Sequence, residues 1–185
     1  MAIKDNAYGE NQQIGFSTVL TRNAEGRATG YMKPDEIKEG EHYMEIVGID
    51  LWEDDKGGDY LKVQLFREGK YTESFGKIGR RTMWKLERSI RGIFGKLLPF
   101  DEVQSEGGRM PPATRKAALG RFVKVSIKDS DYDGQDVLIV GDTPYKAPEG
   151  VKPMFEFGSD KPTGNWPLSA EELRGGDKTA PSEDW

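Results

Sequence analysis

The chain has 185 residues, no cysteine and a single histidine, His42. The first absence excludes disulfides, thiolate metal sites and cysteine nucleophiles, and it accords with a reducing cytoplasm. The second leaves no pair of histidine ligands, and His42 opens a predicted strand, a poor place for a triad. No apolar run approaches the length of a membrane span, and the polar opening MAIKDNAYGENQQ does not read as a signal peptide. The expectation is a soluble protein of the cytoplasm. Hydrophobic residues are also scarce, at 35% against 32% charged, which suits a modest core with long polar flanks.

Motifs for catalysis are missing too. There is no Gly-rich loop of the kind that cradles a nucleoside triphosphate. The stretch DSDYDG begins like a calcium loop at Asp129, but Val140 stands where the bidentate glutamate belongs. It reads better as a hairpin turn with Gly134 at positive φ. WEDDKGGDY groups Glu53, Asp54, Asp55 and Asp59 around Lys56, yet in a turn such carboxylates rarely hold a metal. The expectation is a non-enzyme without cofactor or metal.

What is present is a segregation of charge. Residues 1–66 hold 7 basic and 13 acidic side chains, residues 67–128 hold 15 and 6, and residues 129–185 hold 5 and 13. A basic centre between acidic ends is a polyanion-binding pattern with a built-in competitor, although the whole chain carries −5.

Residues 1–30 lack periodicity and read as an arm, with IGFSTVL able to pair as a strand. A folded domain is expected over residues 31–148, and a flexible Pro- and Gly-rich linker with a disordered acidic tail over 149–185. Within the domain, HYMEIVGIDLW, DYLKVQLF and YTESFGK read as three strands. RRTMWKLERSIRGIFGKLLP then places Met83, Leu86, Ile90, Ile93, Phe94 and Leu97 on one arc of a helix that Pro99 should end. Its other side carries Arg81, Lys85, Arg88, Arg91 and Lys96. PPATRKAALG is a short helix, and RFVKVSIK and QDVLIV are the last strands. Three strands, a helix and two strands give a mainly β fold with helices. Their order is that of a five-stranded OB-fold-like barrel, with its helix between the third and fourth strands.

If Glu68 and Gly69 form a two-residue turn, the register follows. Arg67 faces Lys70, Phe66 faces Tyr71, Gln64 faces Glu73, Lys62 faces Phe75 and Tyr60 faces Lys77. Leu61, Val63 and Leu65 then share the inner face with the small Gly76, Ser74 and Thr72. A three-residue turn with a bulge at Gly69 would instead bury Glu73 and Lys77 with the core residues, so the two-residue turn is preferred. The outer face interleaves rings with amines, as a single nucleic-acid strand requires. The alternative is that Tyr60, Phe66, Tyr71 and Phe75 pack under the arm or a helix. From Lys77 a phosphate track can continue through Arg80, Arg81, Lys85 and Arg88, with Trp52 and Trp84 as further stacking candidates.

EGEHYMEI, GGDYLKVQL, LERSIRGIFGKL and LGRFVKVSIK…YDG, between about residues 39 and 147, resemble a family of bacteriophage single-stranded DNA-binding proteins. The ending SEDW is similar to the acidic, aromatic-ended tails of such proteins, although it is less acidic and has Trp185 where Phe is usual. The resemblance implies sequence-tolerant binding of single-stranded DNA in replication or recombination, within the host cytoplasm. It also implies that Glu183, Asp184 and Trp185 dock a polymerase, helicase, primase or nuclease and compete with DNA for the groove. A protein-interaction module, or a DNA-mimicking inhibitor without DNA affinity, is the alternative.

Overall fold

Alternating side chains place most of the strands where the sequence predicts them, because one face of each must leave water. The structure, a computed structural model, describes residues 18–22, 28–32, 34–53, 55–105, 108–131, 134–161 and 163. In chain order these form β1 (Thr18–Arg22), β2 (Ala28–Met32), β3 (Gly40–Glu53), β4 (Asp59–Arg67), β5 (Lys70–Ile78), α1 (Met83–Phe94), α2 (Phe100–Val103), α3 (Pro112–Ala118), β6 (Phe122–Asp129) and β7 (Gln135–Ile139). β1 and β2 pair with each other, so the expected domain start at residue 31 falls inside a strand.

The main sheet is five-stranded and antiparallel, in the order β5-β4-β3-β6-β7. β3 is long because it serves two partners. Its first half, from Gly40 to Glu45, pairs with β6, and its second half, from Glu45 to Glu53, pairs with β4. Near the joint the register slips between Ile46 and Gly48, so Val47 is an extra residue that bends the strand. Met44, Ile46, Ile49 and Leu51 of β3 point inward with Leu61, Val63 and Leu65 of β4 and Val123, Val125 and Ile127 of β6. Helix α1 lays Ile90 and Ile93 on them. That helix ends at Gly95, in the left-handed conformation (φ 77°), before Pro99 is reached.

The sheet is not closed into a barrel, which corrects the expectation. The edge strands β5 and β7 approach, and the Ser74 hydroxyl donates to the Val137 carbonyl at 2.8 Å. At one end residues 35–37 span the gap instead. The Asp35 amide donates to the Tyr71 carbonyl (2.7 Å) and its carboxylate accepts from the Tyr71 amide (2.8 Å). Across the gap, the Gln135 side chain both accepts from and donates to the Ile37 backbone (2.9 and 2.6 Å). The edge groups thus find partners without pairing directly.

A second correction concerns residues 149–161, expected to begin a flexible linker. They fold back across the sheet, and Met154 and Phe155 are buried against Val47, Phe66 and Tyr71. The Gly158 amide donates to the Leu119 carbonyl at 2.7 Å. Gly120 (φ 76°) lies directly beneath this strap, where a Cβ would overlap the Glu156 carbonyl.

Candidate nucleic-acid interface

The β4–β5 hairpin has the register that the two-residue turn requires. Arg67 pairs with Lys70, Phe66 with Tyr71, Gln64 with Glu73, Lys62 with Phe75 and Tyr60 with Lys77. Glu68 and Gly69 both take positive φ (49° and 82°), the backbone twist that a tight hairpin turn demands.

The face that carries these residues is largely covered, and here the expected stacking platform is corrected. Phe66 and Tyr71 are core residues under the strap, so no base can reach them in this arrangement. Lys62 is fully buried, with its ammonium 3.3 Å from Glu73 and 5.7 Å from the centre of the Phe75 ring. The Tyr71 hydroxyl donates to the same Glu73 oxygen. Burial holds the Lys62 pKa below its ordinary value and Glu73 above its own, and each charge partly restores the other. Lys62 therefore has a structural ion pair in place of a phosphate.

The open part lies at the far end of β5 and on α1. Phe75 is 38% exposed and meets half-buried Tyr60 edge to face, with ring centres 6.4 Å apart. Lys77, Arg80, Arg81 and Arg88 are exposed, and Lys85 is half-buried. The Thr82 hydroxyl donates to the Lys77 carbonyl at 2.6 Å and ties the helix start to the strand end. Trp84, next but one in the chain, is 52% exposed. The Lys85 ammonium and the Arg88 guanidinium lie 5.6 and 5.8 Å from its ring centre. The first turn of α1 carries no acidic side chain, so nothing there offsets the positive end of its dipole.

This geometry is a ring flat enough to stack on and bordered by cations that can meet phosphates. Comparison with protein-family models, with curated proteins and with solved structures finds no match.

The remaining candidates are dispersed. Arg67 is half-buried and donates to the Tyr43 carbonyl at 3.0 Å. Lys70 is exposed but lines a polar cavity with Lys38, Glu36, Glu39 and Asp129, where three carboxylates outnumber two lysines, a poor setting for phosphate. The backbone of Trp52 pairs with Tyr60, and its side chain is not among those described. Glu183, Asp184 and Trp185 lie outside the described residues. Among the described residues no group of three or more His, Asp or Glu side chains could hold a metal, and no helix is long and apolar enough to cross a membrane.

Sequence reasoning missed two features. One is Glu45, a fully buried carboxylate on the outer face of β3. It accepts the Met154 amide on both oxygens (2.8 and 3.0 Å) and the Phe155 amide on one (2.9 Å). The other is an outward patch two residues before Glu45 on the same face of β3. There Tyr43 and the 38%-exposed Tyr145 meet edge to face at 5.0 Å, and Lys124 pairs across from Tyr43. The apolar pair Met154–Phe155 inside a polar, Pro-rich stretch was the available signal for the first. Nothing local marks the second, since Tyr43 and Tyr145 meet only in the fold.

Proposed function

We propose that the protein binds single-stranded DNA with little sequence dependence, in phage DNA replication or recombination. The observation that carries this reading is the exposed Trp84 with Lys85 and Arg88 over its ring, continuous along the chain with Lys77, Arg80 and Arg81. Stacking on a ring is indifferent to base identity, and the amines supply a backbone track. The strand order β5-β4-β3-β6-β7, with helices between β5 and β6, supports an OB-like architecture, which binds oligonucleotides on its second and third strands. In this reading the C-terminal tail, through Glu183, Asp184 and Trp185, recruits partner proteins.

The test is fluorescence anisotropy with labelled oligo-dT at two salt concentrations, with duplex as competitor. Affinity should fall with salt at a log–log slope of about −0.7 for each phosphate neutralised, and duplex should compete poorly. A duplex bound as tightly as oligo-dT of equal length, or a flat salt response, would refute the reading.

A further inference from the structure

The strap covers one row of the outer face, and between that row and Tyr60 the same face holds the buried Gln64, Glu73, Lys62 and Asp50, the last accepting the Met110 amide. Phe122, Glu45, Phe66 and Tyr71 form one cross-strand row of the sheet, and Met154 and Phe155 lie on that row. On one side of it stand Tyr43, Tyr145 and Lys124, and on the other Phe75, Tyr60 and Lys77, leading to Trp84. Rings thus flank the strap on both sides, with the Lys124 ammonium on one side held 3.3 Å from Glu41, while the row beneath holds three more rings, Phe122, Phe66 and Tyr71.

On that row Met154 and Phe155 pack on the rings and their amides donate three hydrogen bonds to the single carboxylate of Glu45. Beyond it the Arg121 guanidinium lies 4.9 Å from the Phe157 ring centre and the Gly158 amide donates to Leu119. Among the described residues no cation lies within ion-pair distance of Glu45, so its charge is neutralised by nothing but amide dipoles. Burial holds its pKa up at about 7, so that docking the strap asks this carboxyl to give up water without a counter-ion.

We propose that residues 153–157 are an internal competitor: single-stranded nucleic acid displaces them and takes the aromatic row beneath. The inference rests on the single-strand-binding reading given above. In the closed form the Phe155 side chain occupies the apolar ground that a stacked base would take against Phe66 and Tyr71. Apparent affinity is then the intrinsic affinity scaled by the fraction of molecules whose strap is open.

The experiment uses the full chain in two measurements, anisotropy with labelled oligo-dT and amide hydrogen exchange with and without saturating oligo-dT. The expected result is that the amides of Met154 and Phe155 exchange about tenfold faster in the complex, while those of β3 and β6 stay protected. Phe155→Ala should lower the apparent Kd by about tenfold, because its strap is open more of the time. Binding of oligo-dT with unchanged or slower exchange at Met154 and Phe155 overturns the proposal, as does weaker binding by Phe155→Ala with its helical circular dichroism intact. If Phe155→Ala does not fold, the exchange measurement on the unaltered chain decides. Absence of any oligo-dT binding by the unaltered chain sinks the functional reading itself, and anisotropy alone shows that.

Discussion

A lysine sealed against a carboxylate and a lysine at a surface have the same letter in a sequence, and Lys62 is of the first kind. Lys62→Met should cost about 3–5 kcal/mol of stability, since it strands the Glu73 charge in the interior, yet change oligo-dT affinity little. Trp84→Ala should do the reverse, with an unchanged melting temperature and oligo-dT affinity weakened by about 1–3 kcal/mol. Thermal melts and anisotropy on the two variants read both axes. Glu45 gives a third test. Its folded pKa, about 7, stands above the ordinary value of 4.5, so the folded state holds the proton more tightly than the unfolded chain. Its contribution to stability is full below pH 4.5 and is lost as pH rises through 7, to the order of 3 kcal/mol. Glu45→Gln keeps one oxygen for both amides and has no charge to acquire. Its melting temperature should therefore decline less than that of the unaltered protein between pH 5 and 8, and equal declines would remove Glu45 as the cause. At this scale the sequence told less than its alternation suggested. Alternation assigns a residue to a face, but what covers the face is set by Met154, whose amide reaches Glu45 across 109 residues.

Among the elements, legibility followed locality. The hairpin register was readable from Glu68–Gly69, because a two-residue turn and a period of two leave one solution. Helix α1 was readable from Ile90 and Ile93 of its apolar arc, but Met83 and Leu97 of that arc are exposed, Arg81 precedes the helix, and the left-handed Gly95 stops the ladder before Pro99 can. The strap was not readable in this way. Its Pro and Gly content is that of a linker, and its partners are a buried carboxylate and a ring pair far back in the chain. Barrel closure failed for a similar reason, because residues 35–37 take up the hydrogen bonds that β5 and β7 were expected to exchange. Paired truncations test the strap as an element. Ending the chain after Gly150 removes Met154 and Phe155, whose burial contributes about 1.5–3 kcal/mol each, so the melting temperature should fall by several degrees. Ending it after Thr163 keeps the strap and should leave the melt unchanged. Equal melts for the two truncations would show that the strap contributes nothing to the fold.

Across the whole molecule, the net charge of −5 conceals a basic centre that the fold makes partly contiguous at the end of β5 and along α1. Acidic residues lie on both sides of it in the chain. Residues 176–185 hold Asp177, Glu183 and Asp184 against Lys178 alone. In the single-strand-binding reading proposed above, such a segment tethered to the domain would meet the basic patch at high effective concentration and compete with phosphates for it. Removing residues 176–185 should therefore tighten oligo-dT binding, most at low salt, because ions screen the tail's attraction. Strap and tail then differ in a measurable way. The strap competes through apolar contact, so the gain in affinity from Phe155→Ala should persist as salt rises, while the gain from truncation should shrink towards nothing. Trp185→Ala leaves every acid in place and should change DNA binding less than truncation does, while abolishing capture of any partner that reads the tail, since a buried aromatic anchor supplies much of such an interface. Truncation that weakens DNA binding at every salt concentration would reverse this assignment and make the tail part of the DNA site, with Trp185 stacked on a base.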